Sequence, residues 1–95
     1  MCPIRFEELQ FDHIVEFTND STIFAAAREN GNGNGGNGYL RLFLINQSTG
    51  NVYCRNGRAD SWEQLTGSAR NIIIARLIAA KNNYIPVYKI NGEGP

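Results

Sequence analysis

From Ala69 to Ala80 only Arg70, Asn71 and Arg76 interrupt an apolar run, and its apolar residues do not gather into one stripe. At about 100° per residue, Ile73, Ile74, Leu77 and Ile78 form a bulky face. Ile72, Ala75, Ala79 and Ala80 spread over the opposite side. A helix that is apolar nearly all round is covered on two sides. The bulky face suits a sheet, and the small face suits close approach by another helix, from the same chain or from a partner. The β-branched run Ile72-Ile73-Ile74 also permits a strand, but the alanines and the end signals favour helix.

Those end signals begin upstream. Asp60 and Ser61 are good N-cap residues, each followed three positions on by Glu63 or Gln64 as in a capping box. Trp62 to Leu65 then read as a first helical turn. Thr66-Gly67-Ser68 breaks the pattern, as a kink or as a stop and restart with Ser68 as a second cap. Lys81-Asn82-Asn83 closes the helix with a cation at its negative pole and an asparagine able to turn left-handed.

Around this helix, 95 residues make one domain with enough chain for one core. Nine acidic and nine basic residues cancel, so no bulk electrostatic pull toward nucleic acid or acidic membranes is expected. The basic set is seven Arg and two Lys, which suits specific bidentate contacts with carboxylate or phosphate. Cys2 and Cys54 match no zinc or redox spacing, so no metal is expected. No cofactor motif is present either. No secretory signal or membrane-spanning run is seen. Reduced thiols and a cytoplasmic location follow as expectations.

Taken in order, residues 1–10 read as either a helical turn or an extended arm. Asp12 to Phe17 reads as a short strand, and Thr18-Asn19-Asp20-Ser21 as a turn or cap. Residues 22–30 have two readings. Asp20 or Ser21 capping an alanine-rich segment gives the favoured helix, and a hairpin partner for the first strand is the rival. Gly31 to Gly38 (Gly-Asn-Gly-Asn-Gly-Gly-Asn-Gly) reads as a flexible loop and spacer. It matches neither a P-loop nor a dinucleotide fingerprint. Tyr39 to Ile45 and Asn51 to Arg55 form a hairpin about the turn Asn46 to Gly50. Tyr84 to Ile90 is a last strand that Pro86 assigns to an edge or a bulge, and residues 91–95 form a tail.

This order gives an α+β domain, one antiparallel sheet with one or two helices on a face. The split-βαβ, or ferredoxin-like, arrangement is favoured. If residues 22–30 are a strand, the alternative is a β-meander with one long helix. Either way one sheet face is left to be managed, often by dimerisation.

The chemistry-bearing residues gather before the helix. Arg55, Asn56, Arg58 and Ser61, at a helix N-terminus, make an anion site, since free amides and the dipole favour negative charge there. Tyr53 and Trp62 flank the run and suit stacking on a base. A Cys54 nucleophile with His13 as base is a remote third option, and Asp12, Glu16, Glu7 and Glu8 read as a solvated acidic edge. The expected function is therefore a non-catalytic module binding a phosphate-bearing ligand, a nucleotide or a short nucleic-acid segment. The alternative is a small protein-interaction domain using a sheet edge or helix face. A homo-oligomer, most simply a dimer, is expected through the helix surface of Ile72, Ala75, Arg76 and Ala79.

Overall fold

A computed structural model describes residues 9–29, 40–56, 61–83 and 85–94. Its elements are β1 (Leu9–Phe17), β2 (Thr22–Glu29), β3 (Leu40–Asn46), β4 (Val52–Asn56), β5 (Glu63–Leu65), α1 (Gly67–Asn82) and β6 (Val87–Ile90). The domain is α+β, with one mixed six-stranded sheet in the order β5-β4-β3-β2-β1-β6. β1 to β5 form an antiparallel meander, and β6 returns to pair in parallel with β1. The favoured split-βαβ order is therefore not the one observed, and the meander with one helix is. Both outer strands are short, which limits the exposed ladder edge, and β6 is the edge strand that Pro86 called for.

The decisive difference is β2. Its local signals suit a helix, yet Ala25, Ala26 and Ala27 are buried in a sheet strand. Phe11 on β1 and Phe43 on β3 explain why. Register sets Ala27 beside Phe11 and Ala25 beside Phe43. The two rings meet edge-to-face, centroids 5.6 Å apart at 74°. They reach one another across β2 because its side chains there are methyl groups. Tertiary packing outweighs the alanines' helix propensity. Thr18 to Ser21 accordingly turns a hairpin instead of capping a helix. Ser21 takes φ +60°, and Asp20 Oδ1 accepts from the Thr22 amide at 3.2 Å.

The helix also starts later than its capping signals suggest. Glu63-Gln64-Leu65 pairs with Val52-Tyr53-Cys54 as β5, so Trp62 to Leu65 is not a helical turn. Thr66 is the N-cap, extended and without a side-chain cap bond. Gly67 at φ +62° swings the chain into α1, a conformation that costs an L-residue. At the other end the Asn83 amide bonds the carbonyls of Ala79 and Ala80.

α1 packs on one sheet face. Ile73, Leu77 and Ala80 are buried, with Ile74 packed against the cluster. The bulky face is thus right for Ile73, Ile74 and Leu77. Ile78 instead stands exposed, and Ala80 turns inward, because the contact with a twisted sheet is narrower than the apolar arc. Three cations tether the helix. Arg70 Nε donates to the Gly50 carbonyl at 2.8 Å, and Arg76 Nη1 donates to the Leu9 carbonyl at 3.4 Å. Lys81 Nζ pairs with Glu16 Oε1 at 2.8 Å. Glu16 is therefore a partly buried anchor for α1, not part of a solvated edge.

The core between α1 and the sheet holds Leu9, Phe11, Ile14, Ile23, Phe43, Ile45, Val52 and Cys54 among its buried members. Residues 91–94 are not a loose tail. The amides of Thr18 and Asn19 donate to the carbonyls of Ile90 and Gly92, each at 3.0 Å, and the Gly94 amide donates to Asp20 Oδ2 at 2.8 Å. The Gly31 to Gly38 run lies outside the described residues.

Candidate functional site

Strand alternation divides the expected site residues between two faces. Tyr53 and Arg55 are two apart on β4 and point away from α1, while Cys54 between them is fully buried toward it. The Arg55 guanidinium carbon lies 5.3 Å from the centroid of the Trp62 ring, within the range of a cation–π contact. Trp62 is half-buried and Ser61 exposed. The structure therefore joins Tyr53, Arg55 and Trp62 at one corner of the sheet face that α1 leaves uncovered. Ser61 precedes β5 rather than a helix, so the free amides and dipole expected beside it belong to Thr66 and Gly67 instead. Asn56 ends β4, and Arg58 lies outside the described residues.

The rest of that face follows from register. Pairing runs from Tyr88 on β6 through Val15, Phe24, Leu44 and Tyr53 to Gln64 on β5. Partners in a ladder project to the same side, so five large side chains form one row across the sheet. A second row holds His13, Ala26, Leu42 and Arg55, and a third holds Ile90, Phe17, Thr22 and Asn46. Tyr88 is 58% exposed and Ile90 47%. Val15, Phe24, Leu42, Leu44 and Tyr53 are half-buried only by one another's flanks. Sequence reasoning foresaw an unmanaged face but not this row, since the row needs β2 to be a strand.

The same geometry removes the catalytic option. His13 shares a row with Arg55, on the face opposite Cys54, so the two cannot meet. Cys54 is moreover disulfide-bonded, which leaves no thiol there and withdraws the argument for a reducing compartment. No cluster of three or more metal-binding side chains occurs among the described residues. No helix among them is long and apolar enough to cross a membrane. Arg41, which the sequence did not single out, is the buried charged residue of the core-side layer, 5% exposed in register with Ala27.

The expected oligomer surface on α1 is partly engaged within the chain. Ala75 and Ala79 are exposed and Ile72 is half-buried, but Arg76 is bonded to Leu9 rather than standing ready for an acid on another subunit. A groove of about 280 Å³ beside it is lined by Leu9, Phe11, Asp12, Arg76, Ala79 and Ile85, among others. No family model matches this chain, and neither a curated protein nor a solved structure matches it.

Proposed function

We propose that this chain is a non-catalytic binding module that works through the uncovered face of its sheet, with a phosphate-bearing ligand seated at the Tyr53, Arg55 and Trp62 corner. The observation that carries the reading is the guanidinium of Arg55 held over the Trp62 ring beside Tyr53. A guanidinium stacked on an aromatic ring keeps its planar fork of donors oriented for an oxyanion. Two flanking aromatics offer surfaces for a base. Such a corner suits a nucleotide or a short single strand. Arg58 and Ser61 extend the candidate set from the sequence.

Trp62 is the only tryptophan, so its fluorescence reports the corner directly. Titration with a nucleoside triphosphate and with a short oligothymidylate is expected to quench it saturably. Arg55→Ala is expected to weaken binding about tenfold or more, the loss of one charge-assisted contact of about 1.5–3 kcal/mol. Affinity should fall steeply with salt. Equal affinity in wild type and variant, or no saturation at millimolar ligand, rejects the reading.

A second reading, a protein-interaction module, is favoured by the row from Tyr88 to Tyr53. Charge is sparse there and aromatic side chains are frequent, which is how the central part of a protein interface differs from ordinary surface.

A further inference from the structure

We infer that the uncovered sheet face is the self-association surface of this protein, and that its occupant is a second copy packed sheet against sheet. The inference makes the protein-interaction reading specific and rests on it. It moves the expected dimer contact from the helix to the opposite side of the molecule.

Three observations lead to a second copy rather than to a dissimilar partner. The first is area. Six strands at about 4.8 Å spacing span about 24 Å, and the three rows cover about 14 Å along the strands. With side-chain width this is roughly 500 Å² in projection, and the relief of the side chains brings the accessible area toward the roughly 800 Å² per partner of a standard interface. The surface is large for a monomer's apolar patch and suitable for a dimer.

The second observation is charge. Among the described residues, His13 and Arg55 are the only Lys, Arg, His, Asp or Glu side chains that register places in the three rows, and both fall in the outermost one. The chain as a whole is neutral. Two copies can approach this way without burying a charge or repelling one another. Residues 91–94 do not stand in the way, since Gly94 comes close to Thr22 at one corner only.

The third is self-complementarity. The midpoint of the strand order lies between β3 and β2. A two-fold axis along the strands at that midpoint lays β3 over β2 of the second copy, β4 over its β1 and β5 over its β6. Rows stay in register under this operation. Leu44 then faces Phe24, Tyr53 faces Val15, Leu42 faces Ala26, and the Gln64 amide faces the Tyr88 hydroxyl. Each contact sets a larger side chain against a smaller one, or a polar tip against a polar tip. That is the alternation by which two sheet layers about 10 Å apart interdigitate. The Arg55 and Trp62 corner falls at the rim, where it stays open to solvent.

The test is the mass in solution, by sedimentation equilibrium from 1 to 100 µM, of the full chain and three variants. Wild type is expected at twice the chain mass. Tyr88→Glu changes an exposed residue and should not disturb folding. It is expected to weaken the dimer at least tenfold, and Leu44→Glu to abolish it. Ala79→Glu, on the outer face of α1, is expected to leave the dimer intact. Circular dichroism confirms that each variant is folded. A second variant pair fixes the register. Val15→Lys and Tyr53→Asp are each expected to be monomeric alone and to form a heterodimer when mixed. A wild-type monomer at 100 µM overturns the inference. So does a dimer that Ala79→Glu dissociates and Tyr88→Glu does not, or a mixture that fails to pair. The Trp62 titration is read separately on monomeric Tyr88→Glu, so failure of the dimer and failure of the ligand site are distinguishable.

Discussion

At the scale of single residues, two glycines carry left-handed backbone for different reasons. Gly67 (φ +62°) opens α1 with nothing within 4 Å of where a side chain would stand. Gly50 (φ +77°) sits in the β3–β4 turn, where a Cβ would lie 2.8 Å from Arg70 Nη2. Gly67→Ala is expected to cost about 1–2 kcal/mol of backbone strain alone. Gly50→Ala should cost more, because it also displaces the guanidinium that bonds the Gly50 carbonyl. Urea denaturation of both variants checks the order. Asp20 provides a pH dependence. The Gly94 amide, which donates to its carboxylate, is the largest influence holding the pKa below its ordinary 3.8, and the Thr22 hydrogen bonds add to it. A depressed folded pKa contributes stability that is fully present above the unfolded value and is lost as pH falls through the folded one. The Gly94 amide resonance should therefore hold its position at neutral pH and move only in acid below the ordinary carboxylate range. Asp20→Asn should abolish that movement. The turn-forming character of Asp20 was legible in the sequence, since asparagine and aspartate caps are local chemistry. Its bond to Gly94, 74 positions away, was not.

Elements that rest on local chemistry were read correctly, and those that depend on a distant neighbour were not. The β3–β4 hairpin was legible because Asn46 and Gly50 specify the turn. Asn46 Oδ1 takes the amides of Ser48 and Thr49, and the Gly50 amide closes on the Asn46 carbonyl. The long helix was legible from Ala69 onward. Its start was misplaced because Asp60, Ser61 and Glu63 make a plausible capping box, whereas the pairing of β5 with β4 leaves no local mark. β2 was misread for the same reason: alanine is a good helix residue and also the only common side chain small enough to let Phe11 and Phe43 touch. This gives a sharp expectation. Ala25→Leu improves neither structure. It overfills the space below the two rings and should lower stability by about 1–3 kcal/mol. Ala75→Leu on exposed helix surface should change it by no more than about 0.5 kcal/mol. Thermal unfolding of the pair separates a strand under aromatic cover from a mere apolar segment.

On the scale of the whole molecule, the sequence established the fold class and the existence of an uncovered face, but not which residues compose it. The aromatic and arginine candidates before the helix were chosen for a helix terminus, and Tyr53, Arg55 and Trp62 come together on a sheet instead. The reason is that the site belongs to the strand order, and one wrong strand reverses which side chains share a face. That order has a further consequence in time. β1 to β5 are joined by near neighbours in sequence, while β6 reaches β1 only after the chain has travelled the length of α1, and the two strands lie more than seventy residues apart. Contacts between sequence neighbours close early and the most distant pairing closes late. The meander is therefore able to form first, and the parallel seam between β1 and β6 is the last to knit and the first to part. Native-state hydrogen exchange should show Tyr88 to Ile90 exchanging through a partial opening, while the β2 and β3 amides exchange only through global unfolding. Because Tyr88 and Ile90 leave with that seam, each opening also removes one end of the apolar row. The lifetime of this last strand would then govern how long the assembled face persists.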